Sequence, residues 1–336
     1  SANRQYRGIT QTNSYMLSIR GGRTANHLSS PPSPTVVRTR GEFYMGDLSP
    51  IAVRAGQFTA IGNPYAAALD MRSLTSTGLK DFFYIWDPAL AGSSGYGAYQ
   101  TFSKDGSGNY VITPGYGSYD STNSRSNYIR SGQAFLVQGT VGGGNLTFKE
   151  DAKASGNGQV SSPTGLPLPQ LRASLYGVNA DGSMYMTDGV LINYNDRYSN
   201  LLDDMDAFKS TNTSENLSVK TANTLLVIER RHTITRRDTI FLNLTGVKVQ
   251  QYRFEFTAEQ LYQPGLTGFL EDSYLKTSTP LNIDGSTMVN FNIVNIPGAY
   301  AANRFRIVLE QSGTLPVTFT SVKAYPTDSG IEVAWK

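Results

Sequence analysis

TLLVIERRHTITRRDTIFLNL, residues 224–244, decides how this chain is read. Two apolar runs, Leu225–Ile228 and Ile240–Leu244, flank a polar centre that carries Arg230, Arg231, Arg236 and Arg237. Threonine, valine and isoleucine favour an extended backbone, where branched side chains pack on a pleated surface. Neither run is long enough to be a helix of ordinary length. The stretch therefore reads as strand, solvated hairpin tip and strand. Alternation then sends the arginines to both faces, so no single basic patch results.

The same signal recurs along the chain, separated by Gly, Asn, Asp or Pro turns. SYMLSIR (14–20), QFTAIG (57–62), FFYIW (82–86), QAFLVQG (133–139), NLTFKE (145–150), YRFEF (252–256), VNFNIV (289–294) and RFRIVLE (304–310) all read as strands. Helical periodicity is scarce. Short helical turns are expected only at 65–72, in DDMDAFK (203–209) and in TAEQLY (257–262). The class is all-β.

ASGNGQVSSPTGLPLPQ (154–170) is rich in Gly, Ser and Pro and reads as a linker. It divides a first β-sandwich unit, 1–153, from a second, jelly-roll-like unit, 171–310. PPSP (31–34) is a stiff bend near the start. The tail, 315–336, is expected to form an extra hairpin. Leu315, Val317 and Phe319 alternate on one strand, and Ile331, Val333 and Trp335 on the other, across a Pro-Thr-Asp-Ser-Gly turn. Two strands with one apolar face are not stable alone. The pair is expected to dock on this chain, on a further domain or on a neighbour, and those six residues are its assembly candidates.

Composition narrows the functional classes. Charged residues are 16% of the 336, and the formal net charge of +3 is too small and too evenly spread for a nucleic-acid partner. Cysteine is absent, which removes disulfides, zinc–thiolate sites and cysteine nucleophiles and leans toward an exposed compartment. No apolar run reaches the roughly 20 residues of a bilayer span. No signal-peptide pattern opens the chain, so it reads as processed or as a piece of something longer.

GNPYAAALD (62–70), FFYIWD (82–87) and SGQAFLVQG (131–139) resemble a region of large secreted proteins of the Bacteroidetes, which typically read GNPYPSALD, a YFWD-like strand and SGQGFFVKA. DDMDAFK, TLLVIER, GFLEDSY (268–274) and NRFRIVL (303–309) resemble the β-sandwich that commonly follows. LPVTFTSVKAY (315–325) with GIEVAWK (330–336) resembles the start of the fibronectin-like segment before the type IX secretion sorting domain. The resemblance spans most of 56–336, in order. Ala66 and Ala67 depart from the usual Pro-Ser, and no sorting domain follows Lys336. It implies export to the cell surface or beyond, and no defined reaction.

Catalytic constellations are poorly supplied. His27 lies in a Ser/Pro-rich stretch and His232 in the arginine-rich turn, with no GxSxG elbow for a nucleophile. Asp81, Asp87, Asp203, Asp204, Asp206, Glu271 and Asp272 could pair as hydrolytic carboxylates, but none sits in a glycosidase-like context. Asp203, Asp204 and Asp206 could give oxygens to a structural Ca²⁺, yet they lack the EF-hand spacing and suit an acidic helix cap better. No other cofactor is expected.

Between 84 and 128 lie seven tyrosines and Trp86, interleaved with the glycine-rich stretches SSGYGAY (93–99) and PGYGSY (114–119). Rigid amphipathic rings on adaptable loops suit contact surfaces. Trp86, Tyr96, Tyr99, Tyr116 and Tyr119 are the contact or glycan candidates, unless they fold down over their own sheet. The leading expectation is a non-enzymatic surface or adhesive protein that contacts other surface proteins or copies of itself, with strand addition through 315–336 building a filament. A carbohydrate-binding module of a larger secreted enzyme is the alternative, and a hydrolase ranks last.

Overall fold

A computed structural model describes residues 12, 14–17, 42–90, 92–105, 108, 110–119, 127–154, 168–312 and 321–335. The strands of the first unit are β1 (Ile51–Val53), β2 (Phe58–Gly62), β3 (Leu69–Asp70), β4 (Thr75–Thr77), β5 (Leu79–Asp87), β6 (Ala98–Lys104), β7 (Tyr110–Thr113), β8 (Tyr128–Ile129), β9 (Ala134–Gly139) and β10 (Gly144–Thr147). Those of the second are β11 (Gln170–Val178), β12 (Met184–Tyr194), β13 (Ala207–Phe208), β14 (Asn216–Thr221), β15 (Thr224–Arg231), β16 (Arg237–Thr245), β17 (Gln251–Glu259), β18 (Leu266–Asp272), β19 (Thr277–Leu281), β20 (Ser286–Asn292) and β21 (Phe305–Gln311). β22 (Val322–Thr327) and β23 (Gly330–Trp335) close the described chain. The protein is nearly all β, as its composition implies.

In the first unit a five-stranded sheet, β2-β9-β5-β6-β7, shares a core with a three-stranded sheet, β1-β10-β4. Phe83, Ile85, Phe102, Phe135 and Val137 from the larger sheet meet Val53, Leu146 and Phe148. Phe83 stacks on Phe102 with centroids 4.5 Å apart.

The second unit follows the path β19-β18-β21-β16-β14-β15-β12-β11-β17-β20, nearly closed because β19 and β20, consecutive in sequence, lie at its two ends. Its core is aromatic: Phe254 lies 4.8 Å from Phe291 and 5.1 Å from Phe305, ring to ring. Arg304 is buried beside these rings, paired with Asp272 at 2.6 Å and donating to the carbonyls of Asn292 and Ala299. A buried guanidinium is tolerable only when its donors are met in this way.

The stretch 224–244 is not a hairpin. β14 lies between β15 and β16 and pairs antiparallel with each, so β15 and β16 run parallel. β15 also pairs parallel with β12. The arginines divide: Arg236 and Arg237 are exposed at the turn, as a solvated tip requires, and Arg230 and Arg231 are not. Arg231 grips Asp238 and Glu229, Arg230 is buried, and Arg237 reaches Glu310 at 3.4 Å.

None of the three expected helical turns is helical. At 65–68 the backbone bends and enters β3. Asn63 Nδ2 donates to the carbonyls of Ala67, Ile129 and Arg130, and its Oδ1 accepts from Tyr65 N. One buried amide thus sets the corner, where a few alanines could not nucleate a helix. Asp203–Asp206 is a turn, with Met205 N donating to Asp203 Oδ1 at 2.7 Å. Thr257–Glu259 continues β17.

The tail differs in register from expectation. The partner of β23 is 322–327, not 315–319; Leu315, Val317 and Phe319 lie outside the described residues. PPSP, His27 and residues 155–167 of the expected linker also lie outside them.

Candidate functional site

Phe82–Trp86 and Leu225–Ile228 are unbroken apolar runs, and each strand is covered on both faces. Phe83 and Ile85 enter the first core, while Phe82 and Tyr84 point the other way. There they meet Leu191, Ala207, Val227 and Ile228 in a buried cluster between the units. The seam is therefore a third core, built from the outer faces of two sandwiches.

Polar groups frame this seam. Tyr84 Oη donates to Phe208 O at 3.1 Å, Tyr99 N to Asn212 Oδ1 at 2.9 Å, and Ser93 N to Glu215 Oε2 at 3.1 Å. Arg230 Nη2 donates to Lys104 O at 2.8 Å, with its guanidinium over the Phe82 ring. Arg172 Nη1 donates to Ile112 O at 2.8 Å.

Lys80 Nζ donates to Asp206 O at 3.0 Å, lies 3.7 Å from Asp204 and sits over the Phe208 ring. Burial lowers its pKa, and Asp204 and Asp206 oppose that shift. Asp206 is itself pushed up to about 6 by desolvation, although Arg230 N and Asp203 N donate to its two oxygens. At the acidic turn considered for Ca²⁺, the Asp206 oxygens are thus occupied by backbone donors and a lysine ammonium lies alongside. Among the described residues no group of three or more His, Asp or Glu side chains is arranged to hold a metal ion.

The tyrosine candidates separate into three classes. Tyr119 is buried on Phe102 in the first core, its hydroxyl accepting from Gln133, so it has no face left for a ligand. Trp86 and Tyr99 are half-buried and meet edge to face at 4.9 Å. Tyr96 and Tyr116 remain exposed, at 59% and 49%.

Tyr116 is exposed on a loop that is held from inside. Gln100 Nε2 donates to the carbonyls of Pro114, Tyr116 and Tyr119. Asp87, fully buried, accepts from Ala89 N and from both the amide and hydroxyl of Ser118. Gly117 has φ +103°, and a Cβ there would lie 2.3 Å from Asp87 Oδ2, so the loop needs glycine twice over. Across the seam the Tyr116 ring meets Tyr176 of β11, centroids 6.1 Å apart and planes at 73°. Tyr176, missed in the sequence reading, donates its hydroxyl to Glu255 Oε2 at 2.8 Å.

The remaining acids are engaged structurally. Asp272 pairs with Arg304 and Glu271 with Arg306, and Asp81 lies on the surface 3.8 Å from Lys104. His232 is exposed, its amide donating to Asn200.

The hairpin β22–β23 is a second candidate. Its register places Val322, Ala324 and Pro326 opposite Trp335, Val333 and Ile331, so one face carries Val322, Ala324, Pro326, Ile331 and Val333. Lys323, Tyr325 and Glu332 take the other. Val322, Ile331 and Val333 are 62%, 75% and 48% exposed, and among the described residues each strand pairs only with the other.

No curated protein and no solved structure matches the chain. One family matches, described as "Domain of unknown function (DUF8693)", over residues 25–308. That match takes in both sandwiches and the seam and stops short of the hairpin, and it covers well over half of the sequence: the chain belongs to this family.

Proposed function

We propose that the protein is a non-enzymatic structural or adhesive protein of the cell surface or extracellular space, which assembles with copies of itself through the hairpin 322–335. The observation that carries this reading is the hairpin's uncovered apolar face. Six residues per strand at about 3.3 Å give a patch near 20 Å by 10 Å, roughly 200 Å². Two such faces packed together would bury about 400 Å², far below the ~1,200 Å² of a stable interface. Face-to-face pairing of hairpins is thus too small. Addition of β22 or β23 to a sheet edge of a second copy brings backbone hydrogen bonds as well as apolar cover. Head-to-tail addition of that kind does not close on itself and yields filaments. The absence of cysteine and the resemblance to exported surface proteins support an extracellular setting.

Sedimentation velocity over a concentration series tests the proposal. The intact chain should form concentration-dependent oligomers, and removal of 315–336 should leave monomers with an unchanged melting transition. An intact chain that stays monomeric, or a truncated one that assembles equally well, defeats it.

A further inference from the structure

The corner between Tyr116 and Tyr176 lies where the two units meet: Tyr176 packs on Leu90, Ala98 and Met186, and Tyr116 stays exposed beside it. Tyr116 presents a half-exposed ring on a loop whose carbonyls are held by Gln100 and whose end is held by Asp87. A ring so fixed loses little freedom on binding, which favours a contact role over a flexible tyrosine. Tyr176 stands nearly perpendicular to it and gives the platform a wall.

Beyond that wall the outer face of β11, β17 and β20 is largely polar, with Met288 exposed beside Glu255. Register places Tyr176 beside Arg253 and Arg253 beside Asn290, and Ser174 beside Glu255. Arg253 Nε donates to Asn290 Oδ1 at 2.6 Å on the surface, and Glu255 holds the Tyr176 hydroxyl. Donors and acceptors of both signs thus line one side of an aromatic corner.

This chemistry selects among ligands. A phosphate or sulfate would be drawn by the guanidinium of Arg253 but repelled by Glu255 next to it. An apolar peptide would leave these charges desolvated and unpaired. A neutral pyranose matches both halves: its C–H face lies on an aromatic ring, and its vicinal hydroxyls both donate to a carboxylate and accept from a guanidinium or amide.

The geometry points to a glycan-binding subsite for neutral hexose or pentose chains, with the Tyr116 ring as platform, Tyr176 as wall, and Glu255, Arg253 and Asn290 as the hydrogen-bonding rim. The subsite is independent of the hairpin and adds to a contact protein a non-protein target.

The experiment is titration of the intact chain with cellohexaose, xylohexaose and mannohexaose, followed by calorimetry and tyrosine fluorescence. At least one should bind. Tyr116→Ala should weaken that binding about tenfold, the scale of one lost anchor ring, with no change in melting temperature. Tyr262→Ala removes a still more exposed tyrosine elsewhere and should change nothing. Truncation of 315–336 should leave glycan binding intact, so loss of assembly and loss of the subsite are separate results. No binding to any of the three, or equal weakening by Tyr116→Ala and Tyr262→Ala, overturns the assignment.

Discussion

β15 and the C-terminal hairpin carry similar residues in extended chains and meet opposite fates. Val227 of β15 is buried in the seam, with β12 and β14 hydrogen-bonded on either side of its strand. Val333 of β23 is half exposed and has β22 as its only strand partner among the described residues. Period and propensity place both valines on strands. Neither says whether a second layer covers the strand, because cover is supplied by residues distant in sequence. The contrast teaches that an apolar strand of this molecule is buried where a second layer covers it and exposed where none does.

The covered side of the comparison breaks most easily at a charge. Arg304→Ala would leave Asp272 buried with its partner gone, and a cost of about 3–5 kcal/mol is expected in chemical denaturation. A loss below about 1 kcal/mol would mean that water reaches this pair and that the second core is far less closed than described.

Asp206 tests the seam through pH. Burial pushes its folded pKa up to about 6, above the usual carboxylate value of 3.8, so the folded state holds the proton more tightly. Its contribution favours folding most below pH 4 and is lost as pH rises through 6. The stability of the natural protein minus that of Asp206→Asn should therefore grow as pH falls from 7 toward 4, by about 3 kcal/mol at most. Thermal melts of both proteins across that range provide the check: a flat difference would place Asp206 in water, and a reversed one would mean that its backbone donors and Lys80 stabilise the carboxylate more than burial penalises it.

One substitution made at both places sharpens the contrast itself. Val227→Ala should cost about 1–3 kcal/mol through lost burial and a residual cavity. Val333→Ala should stay within about 0.5 kcal/mol for the isolated chain, as for surface changes generally. Equal losses in denaturant titrations would show that the hairpin is covered in solution.

The candidate sites were unevenly legible. Trp86, Tyr96, Tyr99 and Tyr116 stand out because glycine and tyrosine alternate around them, and the structure carries all four toward the seam or its rim. Tyr119 has the same local sequence but falls into the first core, since Phe102 and Gln133 lie beneath it. Tyr176 and Lys80 carry no signal in the sequence, and Arg230 reads there as part of a solvated tip, because each acquires its role from the opposite unit. One signal did bear on the seam. FFYIW and LLVI are continuous rather than alternating, which is the mark of strands covered on both faces.

Sequence alone determined the all-β class, most strand positions, the lack of thiol chemistry and the amphipathic tail, because these depend on local propensity, period and composition. It could not determine that β14 separates β15 from β16, that Asn63 sets a corner in place of a helix, or that the tail pairs 322–327 with 330–335. Those are choices among strand partners and buried hydrogen bonds of similar local energy. Only the assembled tertiary structure, where buried donors and acceptors must find one another and strands must settle on one register, selects one of them.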